Sequence, residues 1–175
     1  MAPPCRPSVD WLTEHTRRDF AASKKKHLLI TGQKRIGKST LLQQMLGERS
    51  PFLQSGLLLD ENNQPKSVYL RQPNGGFSFL IGSRTAVGMK PKIHVLNSVG
   101  VRCAQQLLAS PEEIVGIDEI GFLEQSCEAY QQQLLTIFRE KAVIAAVRKD
   151  SYPFLQQLLS DPSSFVVDLD NFCKD

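Results

Sequence analysis

The sequence predicts an α/β domain, a mainly parallel sheet covered by helices and interrupted by an antiparallel hairpin insert. Three observations carry that expectation. Short apolar runs alternate with helically spaced apolar residues at both ends of the chain, turn residues cluster in the middle, and 175 residues suit one globular domain. That length buries about 70% of the unfolded surface, so neither a disulfide nor a metal is required to hold a core.

The elements follow in order. Residues 1–7 are rich in proline (Pro3, Pro4, Pro7), and from Ser8 a cap followed by Val9, Trp11, Leu12 and Phe20 predicts a short helix to about Ala22. This segment lies outside the core pattern. It packs on the sheet edge or serves a protein partner, and the sequence leaves both open. Residues 1–26 are therefore read as an extension and 27–175 as the main domain. His27–Thr31 (HLLIT) is the short apolar run of a buried parallel strand, and Ser39–Leu46 carries Leu41, Leu42, Met45 and Leu46 at helical spacing before Gly47. Gly56–Asp60, Ser67–Arg71 and Phe77–Ile81 are separated by Asn62-Asn63 and Asn74-Gly75-Gly76, which predicts hairpins. Ile93–Leu96 reads as a strand and Ser98–Ala109 as a helix. After Pro111 come a strand at Glu113–Asp118, a helix at Glu124–Glu140 and an all-apolar strand at Ala142–Val147. A helix at Ser151–Leu159 and a strand at Phe165–Leu169 close the chain.

Charge and cysteine usage exclude several classes. Six of the 21 basic residues and three of the 18 acidic ones fall in residues 1–26, leaving 15 of each in the rest. A neutral body is not the footprint of a nucleic-acid binder; Lys24–Lys26 either touches RNA or an anionic surface or, the default for a short charge run, is a solvated approach to the first strand. No run approaches a membrane span, and residues 1–26 lack the apolar block of a secretory signal. Cys5, Cys103, Cys127 and Cys173 show neither C-x-x-C spacing nor paired histidines, so they are expected to be reduced thiols in a cytoplasmic protein.

Gly32-Gln33-Lys34-Arg35-Ile36-Gly37-Lys38-Ser39, followed by Thr40, matches G-x-x-x-x-G-K-[ST], the Walker A phosphate loop. The glycines permit a backbone that turns successive N–H groups around a phosphate, and the following helix aims its positive end at the same anion. Lys38 can reach the β- and γ-phosphates, and Ser39 can offer its hydroxyl to Mg²⁺. Lys34 and Arg35 either add charge toward phosphate or face solvent.

Ile114-Val115-Gly116-Ile117-Asp118-Glu119, an apolar strand ending in two acids, is the Walker B pattern. Placed beside the first strand, it would bring Asp118 to Ser39 to share the metal, with Glu119 near the γ-phosphate to orient water. Glu124 is either a second carboxylate of the site or the cap of the helix that begins there. Arg148, just past a strand end, lies where α/β ligands collect and would stabilise γ-phosphate charge, or is an ordinary surface arginine. Arg71 and Arg84 are weaker candidates for a lid. Phe77, Phe79 and Phe122 are candidates to flank a base, with packing the default for each.

Ile117-Asp118-Glu119-Ile120-Gly121-Phe122-Leu123-Glu124 resembles the I-D-E-I-G-x-[ML]-E stretch of the thermophile and cancer-related nucleoside-triphosphatase family, small phosphate-loop enzymes of about this size. The similarity spans roughly residues 27–170. It implies a RecA-like three-layer sandwich and slow, Mg²⁺-dependent, base-tolerant hydrolysis of nucleoside triphosphates. By that resemblance Gly32, Gly37, Lys38, Ser39 and Thr40 fall on the loop, Asp118 and Glu119 on the metal and water-activating pair, and Glu124 on the second acid. The loop departs from the family's usual G-P-P-G-V-G-K-T-T, with Gln33-Lys34-Arg35 in place of Pro-Pro-Gly.

The expected function is thus hydrolysis of a nucleoside triphosphate to the diphosphate and phosphate. Two rivals share the loop: a kinase with an acceptor hydroxyl in place of water, and a nucleotide-binding switch or adaptor docked through residues 1–26.

Overall fold

A computed structural model describes residues 7–173. Its elements are α1 (Val9–Ser23), β1 (His27–Thr31), α2 (Lys38–Leu46), β2 (Phe52–Leu59), β3 (Pro65–Arg71), β4 (Ser78–Thr85) and β5 (Gly88–Pro91). There follow α3 (Ile93–Val95), a π turn at Leu96–Gly100, α4 (Val101–Leu108), β6 (Ile114–Ile120), a 3₁₀ turn at Phe122–Ser126 and α5 (Glu128–Glu140). β7 (Ala142–Val147), α6 (Pro153–Leu159), β8 (Ser164–Asp168) and a 3₁₀ turn at Leu169–Cys173 complete the order. Pro3, Pro4 and Cys5 lie outside the described residues.

All eight strands join one sheet in the order β5-β4-β3-β2-β6-β7-β1-β8. β2, β6, β7, β1 and β8 run parallel, and β3, β4 and β5 extend the sheet antiparallel from β2. The predicted hairpins exist, and they continue the main sheet outward from β2. Their first strand begins at Phe52, not Gly56, because Phe52, Leu53 and Gln54 pair with Gly116, Ile117 and Asp118 of β6. Polar Gln54 and Ser55 interrupt the apolar run there and hide the strand's start.

β1 is buried along its whole length, and the alternation of its side chains between the two faces builds the layers. Leu28 and Ile30 face a cluster with Leu41 and Leu42 of α2 and Val167 of β8, against which Leu12 and Phe20 of α1 pack. Leu29 faces the opposite cluster, with Leu107 of α4 and Tyr130, Leu134 and Ile137 of α5. A parallel sheet buried on both faces between helices is a three-layer α/β sandwich.

Two expectations change. Ile93–Leu96 is not a strand: the apolar run is the start of a helical stretch in which Leu96, Gly100, Cys103, Ala104 and Leu107 recur at helical spacing and are buried. Four apolar-rich residues do not distinguish the two periods, but the continuation does. The predicted helix at Glu124–Glu140 splits into the 3₁₀ turn and α5.

α1 is capped by Ser8, whose side chain accepts from Trp11 N at 3.2 Å, and packs on α2 and the edge strand β8. The basic run beyond it is tied down: Lys26 Nζ donates to the carbonyls of Phe138 (3.1 Å) and Arg139 (2.6 Å) in the last turn of α5, and Lys25 to that of Pro162. A cation there complements the negative end of the helix dipole. Cys103 and Cys127 are buried free thiols, and burial, with Glu124 nearby, lifts the Cys127 thiol to about 11, so it is a packing group. Among the described residues no helix is long and apolar enough to cross a membrane.

Candidate active site

The carboxyl ends of the parallel strands converge on one edge of the sheet, the place where open α/β folds collect ligands. β1 delivers the loop Gly32–Gly37, β6 delivers Asp118 and Glu119, β7 delivers Arg148 and Lys149, and β8 delivers Asp170.

The loop departs from ordinary backbone at three positions. Gly32 and Gly37 have φ of 139° and 105°, conformations open to glycine, and Arg35 has φ of 61°. Gly37 caps α2, so the N–H groups of Lys38, Ser39 and Thr40 in its first turn have no partner within the helix and point their dipole into the loop. Lys38 is nearly buried, and its ammonium donates to the carbonyls of Gly32 (3.0 Å) and Gln33 (2.8 Å). Burial holds its pKa below the ordinary lysine value, with Glu119 opposing that shift. Gln33, Lys34 and Arg35 are exposed.

Ser39 Oγ donates to Asp118 Oδ1 at 2.8 Å. The sequence predicts the acidic strand beside β1, and the structure corrects this: β7 lies between β6 and β1, yet the contact forms. β7 carries small Ala145 and Ala146 just before its last residue, Val147, and α2 lies over both β6 and β7, which carries Ser39 across the gap. Asp118 is 5% exposed, and burial raises its carboxyl pKa against the lowering effect of the Ser39 hydroxyl. Ser55 Oγ donates to the Asp118 carbonyl at 2.7 Å and fixes the strand end from β2.

Directly after Asp118 the ladder to β7 slips between Ile117 and Ile120, and Glu119 adopts φ of 67°. A left-handed, non-glycine residue in a bulge is stored strain of about 1 kcal/mol or more. The bulge turns Glu119 to solvent on the site edge, where Arg148 Nε lies 3.6 Å from its carboxylate. Arg148 is largely buried. Its backbone N donates to Ile120 O at 2.9 Å, its guanidinium sits 5.0 Å over the Phe122 ring, and Asp150 is a second neighbour at 3.8 Å. Gly121 makes this packing feasible, since a Cβ there would lie 2.5 Å from the Arg148 side chain.

Glu124 is 6% exposed, and its Oε2 accepts from Gly121 N at 2.8 Å. Of its two readings the structure gives the cap, though of the 3₁₀ turn and not of α5. Burial pushes its carboxyl up to about 7, with Glu119 adding to that shift and Gly121 N–H opposing it. Arg84 is paired with Asp60 at the hairpin end, and Arg71 lies level with Asp118 but two strands away through Gln54. Phe79 and Phe122 pack against the core, and Phe77 is exposed at a turn.

Three residues escaped the sequence reading. Asp170 Oδ1 accepts from Gln33 N at 3.0 Å, and its Oδ2 accepts from Lys149 Nζ at 3.0 Å, so the C-terminal turn anchors the phosphate loop. The Gln33 N–H and Lys149 hold the Asp170 carboxyl below the usual range. Lys149 and Asp170 follow the ends of the two strands that flank β1, which was the available signal. Ser55 carried none.

The sequence matches the family model described as NTPase over residues 80–175. It is 29% identical over 164 residues to the nucleoside-triphosphatase THEP1 of Thermotoga petrophila, covering 85% of this chain and 86% of that protein. Its fold matches the solution structure of a human cancer-related nucleoside triphosphatase with a TM-score of 0.62 and 13% identity, over 81% of this chain and 87% of that one.

Proposed function

Because the chain belongs to the thermophile and cancer-related nucleoside-triphosphatase family, we propose that it hydrolyses a nucleoside triphosphate to the diphosphate and phosphate with Mg²⁺ at the sheet edge just described. The observation that carries this reading is the Ser39–Asp118 contact, which joins the loop to the acidic strand and puts two hard oxygen donors beside the Lys38 ammonium.

The donor set fits Mg²⁺. Among the described residues no cluster of three His, Cys, Asp or Glu forms a cage. One carboxylate plus one hydroxyl is what that ion takes from protein when phosphates and water fill its other positions. Burial raises the pKa of the Asp118 carboxyl, and a cation bound beside it would favour its ionised form. Asp118 and Ser39 would hold the ion, and its contribution is to neutralise charge on the β- and γ-phosphate oxygens.

The chain's own groups do the rest. Lys38 exchanges the carbonyls of Gly32 and Gln33 for phosphate oxygens, and the N–H groups of the loop and of Thr40 surround the phosphates. Glu119, aimed by its bulge, accepts a proton from the attacking water as oxygen bonds to the γ-phosphorus and the bridging bond to the β-phosphate breaks. Arg148 stabilises charge on the transferred group. It is ion-paired with Glu119, so the two must part for each to act, which favours slow intrinsic turnover. Residues 27–175 constitute the catalytic domain, to which 1–26 are an added segment. Buried thiols are in keeping with a cytoplasmic setting.

A phosphate-release panel over ATP, GTP, CTP and UTP, with and without Mg²⁺, tests this function, with Lys38→Ala as control. Release from several triphosphates, dependent on Mg²⁺ and absent from Lys38→Ala, is expected. No release from any, or release that survives Lys38→Ala, would refute it.

A further inference from the structure

We propose that the open face of the antiparallel arm β2–β5 binds single-stranded nucleic acid, with Arg71 and Lys90 on phosphates and Tyr69, Leu58 and Leu80 against bases. The hydrolysis proposed above does not use this surface. The balanced charge of residues 27–175 conceals an uneven distribution. Residues 62–111 hold six basic residues (Lys66, Arg71, Arg84, Lys90, Lys92 and Arg102) and no acidic one, whereas the rest of 27–175 holds nine basic and 15 acidic. Charge of one sign gathered on one part of a molecule is the footprint of polyanion binding, and a whole-domain count averages it away.

Parallel pairing of β2 with β6 ends where Gln54 meets Asp118, and from Ser55 to Leu59 β2 continues paired with β3. The arm therefore extends past the edge that carries Asp118. Its registers align three rows on one face: Gln54, Arg71 and Ser78; Gly56, Tyr69 and Leu80; and Leu58, Ser67, Ser83 and Lys90. The opposite face carries Leu53 and Leu70 into the core, with Val68 and Phe79 packed against it. The first face is the one α2 covers elsewhere, since Gly116, paired with Phe52, lies under Leu46. α2 packs over β1, β6 and β7. On the arm beyond it, Leu58 and Leu80 stay 47% and 44% exposed.

The three rows contain no carboxylate. Arg71 and Lys90 are exposed, whereas Arg84, at the hairpin end, is held by Asp60. The Tyr69 ring rests on Gly56, where an added Cβ would come within 2.4 Å of it, and it remains partly exposed beside Leu80. Cations, an aromatic ring and aliphatic surface on one sheet face are what a single strand requires. Charge holds its phosphates, and its unstacked bases lie against ring and leucine. A duplex keeps its base faces inside the stack and would leave the Tyr69 ring unused.

Fluorescence anisotropy of a labelled oligouridylate of about 20 nucleotides, titrated with the full chain at several salt concentrations, tests the proposal. Binding is expected, with the logarithm of affinity falling against that of salt at a slope of about −1.4 or steeper, as two neutralised phosphates require. Arg71→Glu with Lys90→Glu should weaken binding at least about tenfold. Tyr69→Leu should weaken it about fivefold or more, while Tyr69→Phe, which keeps the ring, retains it. Thermal melts show that the variants are folded; should Tyr69→Leu not fold, exposed Leu80→Ser takes its place, with a smaller loss expected. Lys38→Ala is expected to bind the oligonucleotide like wild type, so a chain that binds it yet releases no phosphate would refute the hydrolysis and leave this surface standing. No binding, equal binding of an RNA duplex of the same length, or equal displacement by polyglutamate at matched charge would overturn the proposal. So would a loss in Lys38→Ala that the arm variants do not share.

Discussion

Ser39 and Asp118, 79 positions apart, meet through a 2.8 Å hydrogen bond although a whole strand separates the two strands that lead to them. Asp118 is there at a cost to the fold, because burial disfavours its charged form. Asp118→Asn keeps an acceptor for Ser39 Oγ and removes the charge. At pH 7 the nucleotide-free variant is expected to melt at the same or a higher temperature than wild type. Its phosphate release should fall by about 10²-fold or more. A thermal melt beside a phosphate assay checks both, and a variant that melts lower with full activity would contradict this role.

Asp170 anchors the phosphate loop from the opposite flank. Asp170→Ala leaves Gln33 N without its partner and Lys149 with Asp168 alone. Its melting temperature is expected to be a few degrees lower, and nucleotide affinity several-fold weaker because the loop is less preorganised. The carboxyl is held below its ordinary pKa, so its contribution is present above the unfolded carboxyl value and lost as pH falls through the folded one. The difference between wild-type and Asp170→Ala melts should therefore shrink below about pH 4.

Glu124 has the opposite sign. Its folded pKa of about 7 lies above the unfolded value of 4.5, so the folded state holds a proton that the unfolded state releases, and stability falls as pH rises through that window. Glu124→Gln keeps an acceptor for Gly121 N without the buried charge. The variant is expected to gain melting temperature over wild type at pH 8 and little at pH 4.5. An equal difference at both values would show that Glu124 does not titrate in this window.

His27, at the start of β1, accepts from Val143 N at 3.2 Å through Nδ1, and its ring lies 5.0 Å from that of Phe138. Burial, with Lys26 nearby, lowers its pKa from 6.5 to about 4. The unfolded chain takes up a proton that the folded chain refuses, so stability is lost as pH falls from about 6.5 toward 4. The imidazole resonance followed by NMR should titrate with a midpoint near 4, whereas a midpoint near 6.5 would mean that the ring is accessible.

Much of this molecule is legible one segment at a time. HLLIT, the loop after it and AVIAAV are contiguous signals whose apolar runs and glycines leave little alternative, and their strand and helix assignments hold within one or two residues. What a linear reading lacks is order in space. Placing Asp118 near Ser39 followed from the pairing of two motifs, but the strand between them follows only from the closing βαβ unit's crossing of β1. Asp170 is a single acid near the end of the chain, and it gains meaning only because β8 lands beside β1. The bulge at Glu119 is equally silent: the apolar run that marks the strand stops at Asp118, and nothing in Glu119-Ile120 announces that pairing resumes beyond it. Ile93–Leu96 misled for a different reason: its apolar residues satisfy both periods until the buried positions beyond it are included.

The central claim is that Glu119 activates water on a nucleotide held by the loop. It is tested most directly by measuring nucleotide affinity and single-turnover phosphate release for wild type and Glu119→Gln under identical conditions. The account predicts binding within about threefold of wild type and release slower by about 10²–10⁴-fold, the range typical of a lost general base. Glu119→Gln that binds the nucleotide and releases phosphate at the wild-type rate would contradict it.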